Sequence, residues 1–247
     1  MEEVDLLEKL ILSKLNLQDA VLSPEYYYAS LPLCVIDSVF SPGVTYSRDS
    51  PKNPVKNWCA NQNWERYRPI NTPPRAVNEA HTIYAFIGLM EKLKGNDFAL
   101  LAAEKGFNNR QRTSSRNGEL KAKAVYNFAQ ILYEEEINTL GDTLKIKNYE
   151  RLENRICAVK GQGSGITLKY FLMLAGDEDF VKADRMLCRF ASRAFALPQP
   201  LDSEKTEALM NKVYNTKLKK KFPKLTLRML DHSIWGYERN RGKMGCV

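Results

Sequence analysis

The stretch KGQGSGITLKYFLMLAG, Lys160 to Gly176, sets three glycines at alternate positions, Gly161, Gly163 and Gly165, directly ahead of an apolar segment. A helical pattern also precedes it: in NYERLENRICAVK the residues Tyr149, Leu152, Ile156 and Val159 recur at steps of three and four. Two amphipathic segments joined by so bare a backbone form a helix, a tight glycine hairpin that tolerates positive φ, and a second helix. Nucleotide motifs are excluded. A dinucleotide fingerprint needs a strand before GxGxxG, and a Walker loop needs GK[ST], whereas here a helix precedes GxGxG and no lysine follows.

The rest of the chain carries helical spacing as well. VDLLEKLILSKL predicts a first amphipathic helix ending near Leu17, and LPLCVIDSVFS, apolar almost all round, predicts a buried helix begun at Pro32. Further patterns lie at AHTIYAFIGLMEKL, DFALLAAEK, LKAKAVYNFAQILYEEEI, ADRMLCRFASRAFAL, SEKTEALMNKVYN and LTLRMLDHSIWGYERN. No strand alternation and no internal repeat appears, so the expected fold is all-α. Residues 41–75, rich in proline and asparagine, predict a long loop.

Composition narrows the partners. With 247 residues, 44% of them apolar, the chain can fill a real core, and its net charge of +8 favours polyanionic partners. No apolar run approaches the roughly 18 residues a membrane span needs, and the acidic start MEEVDLLEKL is unlike a signal peptide. The expectation is a cytosolic protein with no membrane partner. Five scattered cysteines without a CxxC pair, and histidines only at His81 and His232, support neither a disulfide framework nor a metal site.

The hairpin amides and the N-terminus of the helix after them converge on one spot, which suits a phosphate. On spacing alone, a plain helix-helix turn with no ligand is as good a reading. The residues downstream decide between the two. Beyond the helix and the acidic turn DED comes FVKADRMLCRF, in which Asp184 opens a new helix 21 residues after Gly163 and 19 after Gly165.

Hairpin, helix and helix-opening aspartate together resemble the helix-hairpin-helix DNA glycosylases of the endonuclease III and 3-methyladenine glycosylase superfamily. The resemblance runs in helix order from Leu31 to Phe195 and in motif from Leu152 to Phe190. It implies a two-lobed helical fold, with a central lobe of about residues 30–180, a second lobe from 1–29 and 181–247, and Asp184 in the cleft between lobes. It also implies double-stranded DNA as partner, a monomer, nucleoid association in a bacterium, and chemistry without a cofactor, with room for a monovalent or divalent ion at the hairpin.

In that family the aspartate stabilises positive charge developing on the sugar and orients water, and Asp184 stands at that position. Its alternative role is a plain helix cap. Bifunctional relatives place a lysine about eighteen or nineteen residues before the aspartate, where this chain has Ile166 and Gly165. The expected reaction is therefore hydrolysis without strand cleavage. Gly161, Gly163, Gly165, Lys160 and Lys169 are the expected phosphate contacts. Asp37, Tyr46, Trp58 and Trp64 are candidates for the base pocket or the wedge that fills the gap left by a flipped base. Each has a bland alternative: Asp37 as a cap, the tryptophans as anchors of the loop.

Two basic blocks, NNRQRTSSRNGELKAK with Arg110, Arg112, Arg116, Lys121 and Lys123, and KLKKKFPK, could track phosphates. The rival to the enzyme is a non-catalytic helix-hairpin-helix protein that binds DNA. A more distant reading makes the basic surface an RNA or membrane contact and the hairpin a plain turn.

Overall fold

The computed structural model describes residues 3–43, 49–70, 72–74, 77–93 and 98–244. Among them the chain is helical, with only two isolated antiparallel bridges, Tyr28 with Tyr67 and Arg112 with Leu120. It divides into two compact units, Pro24–Asp177 and Met1–Ser23 with Glu178–Val247.

The larger unit is organised around α2 (Leu31–Phe40), every residue of which is buried. Such a helix has no solvent face, and its neighbours supply the enclosure: α3 (Pro54–Gln62), α6 (Lys121–Glu134) and α8 (Ile166–Ala175) all pack on it. Both ends of α2 are held by side chains from elsewhere. Ser30 makes no side-chain cap, so the first amide, Leu31, donates instead to the Glu79 carboxylate at 2.9 Å, and Leu140 N–H donates to the other oxygen of that carboxylate. At the far end the Lys121 ammonium, 4% exposed, donates to the carbonyls of Phe40 and Pro42 at 2.8 and 2.7 Å. An anion at the N-terminus and a cation at the C-terminus both oppose the helix dipole. Burial leaves its mark on each, pushing Glu79 up to about 7 and Lys121 down to about 8.

The expected long loop of residues 41–75 is corrected in part: α3 lies inside it. Asn53 caps its first turn by accepting the amide of Lys56 at 3.0 Å, Pro54 takes the first helical position, and Asn63 closes it at φ 54°. The residues that read as loop are the terminators of a short helix. Beyond it, Arg66 and Arg68 pair their backbones with Ala29 and Tyr27. The unit is completed by α4 (Ile83–Lys92), by a short α5 (Phe98–Leu101) that widens into a π turn at Ala102–Gly106, and by α7 (Tyr149–Cys157).

The smaller unit joins both ends of the chain. α1 (Glu3–Lys14), α9 (Arg185–Arg193), α10 (Ser203–Val213) and α12 (Leu227–Met244) close over Leu7, Ile11, Leu187, Phe190, Met210 and Ile234. α10 continues through a π turn at Tyr214–Leu218 into α11 (Lys219–Lys221). The acidic face of α1 meets these basic helices: Glu3 pairs with Lys205 at 3.1 Å, Asp5 with Lys217 at 2.8 Å and Glu8 with Lys221 at 2.6 Å.

Candidate functional site

The hairpin runs from the end of α7 to the start of α8. Val159 N–H donates to Ile156 O at 3.0 Å, Gln162 N–H to Val159 O at 2.9 Å and Gly165 N–H to Gln162 O at 3.2 Å, so successive tight turns reverse the chain. Gly161 at φ +87° and Gly165 at φ +70° supply the left-handed conformations the reversal needs. Gly161 also lies so close to Thr113 that a Cβ there would stand 2.3 Å from the threonine Cβ. Gly163 meets neither condition. Its φ is ordinary and the nearest atom to an added Cβ is the Cys157 carbonyl oxygen, 3.8 Å away. The fold therefore explains two of the three glycines.

A residue the sequence does not single out locks this turn. Gln162, 2% exposed, accepts the hydroxyl of Thr167 on the first turn of α8. Its neighbours Gly161, Gly163 and Ser164 are exposed, as is Lys160, while Lys169 is half-buried. Gly165 caps α8 without a side chain, which leaves the first-turn amides of α8 no side-chain cap from that position. α7 is fixed from behind by Arg151 and Arg155, which pair with Glu135 at the end of α6.

The basic loop lies against the hairpin through the Thr113 contact. Its residues divide. Lys121 is the buried clamp of α2 and so does not face solvent, a correction to its expected role on phosphates. Arg110 pairs with Glu104, and Lys123 with Glu119 at 3.6 Å. Arg112 and Arg116 remain exposed, Arg112 donating to the carbonyl of Gly118 at 2.8 Å. In the second basic block, Lys217 and Lys221 are committed to Asp5 and Glu8 of α1.

In the smaller unit Asp184 is the N-cap of α9. Its Oδ1 accepts the amides of Met186 at 2.8 Å and Leu187 at 3.3 Å, which fixes the side-chain rotamer. Its Oδ2 accepts no hydrogen bond among the described residues, and the side chain is half-buried. Cap and reactive group are thus compatible in one carboxylate. Beyond it, Arg185 and Arg189 stand one helical turn apart on the exposed side of α9, opposite the buried Leu187, Cys188, Phe190 and Ala191. Asp231 of α12, absent from the sequence-based candidates, is a buried acid whose charge interacts with that of Asp184.

The remaining candidates are in the larger unit. Asp37 is inside α2, and its Oδ2 accepts the hydroxyls of Tyr28 and Tyr170, each at 3.2 Å. Trp58 is fully buried, stacked on Phe107 and edge-on to Trp64 and Phe86, so both its faces serve the core. Trp64 is 8% exposed and covered by His81, whose ring lies parallel to it with centroids 4.1 Å apart. His81 in turn borders a cavity of about 280 Å³, lined also by Ala29, Glu65 and Arg68. Tyr46 lies outside the described residues. Among the described residues no helix is long and apolar enough to cross a membrane, and no group of three or more His, Cys, Asp or Glu gathers as a metal site.

A family model described as Domain of unknown function (DUF8548) matches residues 5–239, which span both helical units, the hairpin and both aspartates. The chain belongs to that family. As a DUF8548 domain it carries the hairpin and Asp184 well inside the matched region. Searches of the curated proteins and of the solved structures find no significant match.

Proposed function

We propose that the protein is a monofunctional DNA glycosylase, which hydrolyses the N-glycosidic bond of a damaged or modified base flipped out of double-stranded DNA and leaves an abasic site. The observation that carries this reading is Asp184: one oxygen is anchored by two amides while the other accepts nothing among the described residues, in a half-buried position downstream of a glycine hairpin. A carboxylate so held can face a sugar whose C1′–N bond is breaking, stabilise the positive charge there and orient the incoming water. The base leaves with the bonding electron pair and takes up a proton, and water adds to C1′. Nothing in the step calls on a cofactor.

The hairpin supplies the grip on DNA. Gly163 has no folding reason to be a glycine, and a backbone phosphate approaching the exposed turn gives it one. Lys160 and Lys169 add charge beside the turn, and the exposed Arg185 and Arg189 add it beside Asp184.

The test is release of free bases, read by mass spectrometry, from duplex DNAs carrying alkylated, deaminated and hypermodified bases, with wild type and Asp184→Asn in parallel. Asparagine is as good a cap as aspartate, so the variant should keep its fold and duplex affinity while losing about 10²-fold or more in release rate. Equal release by the two proteins would remove Asp184 from the chemistry.

The second reading, a DNA-binding module without catalysis, draws on the same cap, since Asp184 already satisfies two amides of α9. Duplex binding with no base released from any substrate would favour it.

A further inference from the structure

Asp231 is 4% exposed, inside a helix that packs against α9. Its Oδ1 accepts the amide of Lys182 at 2.8 Å. The carbonyl of that same residue accepts the amide of Asp184 at 2.6 Å, and the Asp184 carboxylate in turn accepts the amide of Met186. Two hydrogen bonds therefore lead from the Asp231 carboxyl, through Lys182, to the backbone amide of Asp184, whose side chain is in turn fixed by its cap on α9.

We propose that Asp231 is the positioning residue of Asp184, holding Lys182 so that the extended segment before α9 presents the Oδ2 atom of Asp184 in one direction. The inference rests on the glycosylase reading for its purpose, though not for its geometry. The charged groups that bear on Asp231 are few. Asp184 opposes its ionisation, while Lys182 favours it through both its amide and its ammonium. On its own helix Arg228, one turn earlier, pairs with Glu178, and Arg193 of α9 pairs with Glu238. Burial dominates, and with the charge of Asp184 it pushes Asp231 up to about 8 from an ordinary 3.8. At neutral pH Asp231 is then mostly protonated, and a neutral acceptor is all the Lys182 amide requires.

The experiment compares Asp231→Asn, which keeps a neutral acceptor, with Asp231→Ala, which removes it. Amide hydrogen exchange at Lys182 should stay slow in wild type and Asn and accelerate at least tenfold in Ala. Base release at pH 7 should fall in Ala by about 10-fold or more and be largely rescued in Asn. The pH dependence of stability reports separately on the buried carboxyl itself. Because the native state holds a proton on Asp231 that the unfolded state has released, the aspartate's contribution to stability is full below about 4 and is lost as pH rises through about 8. The advantage in Tm of Asp231→Asn over wild type should therefore widen between those limits and level off above. Exchange at Lys182 as fast in Asn as in Ala, or base release that Asn does not rescue, would overturn the proposal. If wild type itself releases no base, the glycosylase reading falls, while exchange still decides whether Asp231 holds Lys182.

Discussion

At Gly161 two constraints coincide, a φ of +87° and a Cβ position 2.3 Å from the Cβ of Thr113, and at Gly163 there is neither. Adding the same methyl group at the two sites separates folding from recognition. Gly161→Ala should cost about 2–4 kcal/mol, the sum of a left-handed alanine and an overpacked contact. Gly163→Ala should change stability by no more than about 0.5 kcal/mol, yet weaken duplex binding if a phosphate approaches the turn there. Urea denaturation and a DNA titration on each variant measure the two effects independently. Single residues also show what a sequence can disclose about a site. As the opener of α9, Asp184 is legible because its signals are local, a hairpin shortly before it and a helix directly after. Asp231 is not, because its partner amide is 49 residues away along the chain and only the packing of α12 on α9 brings them together. Trp58 shows the opposite limit: composition marks an aromatic as available for stacking, while burial among Phe86, Phe107 and Trp64 assigns it to the core.

Among the helices, those with strong periodicity or an unbroken apolar run, α2, α7 and α8, lie where their patterns put them. α3 is hidden in the sequence, since a nine-residue helix bounded by Asn53, Pro54 and Asn63 looks like loop when turn residues are counted, although the same residues are caps when their order is considered. Lys121 misleads for a related reason. Its charge is visible in sequence, but its neighbours at the end of α2 are about 80 residues away. The two clamps of α2 yield a prediction at this scale. Glu79→Ala leaves two amides unpaired and Lys121→Met leaves two carbonyls unpaired, so each should cost about 1–3 kcal/mol. The clamped ends, Leu31 and Phe40, are nine residues apart, about 14 Å along the helix axis, so the double variant should lose the sum to within about 0.5 kcal/mol. A coupling well above that in urea denaturation would mean that α2 shifts as a rigid body when one end is released.

Over the whole molecule, the count of 37 lysines and arginines overstates what is offered to a polyanion. Lys121 is buried, Lys205, Lys217 and Lys221 are paired with the acidic face of α1, and Arg110 and Lys123 have acidic partners of their own. Much of the positive charge is therefore internal wiring between helices. If the hairpin grips the duplex, the salt dependence of binding should respond to position and not to total charge. Removing one lysine that contacts a phosphate should reduce the slope of log K against log salt by about 0.9, so Lys160→Gln with Lys169→Gln should lower it by up to about 2. Lys217→Gln with Lys221→Gln removes the same charge from the molecule and should leave the slope within about 0.3 of wild type, because DNA displaces no counterions there. That second pair should instead lose stability, by about 1 kcal/mol or less for each exposed ion pair. Equal changes of slope from the two double variants would show that duplex binding follows net charge alone, and would take from the hairpin its role as the point of grip.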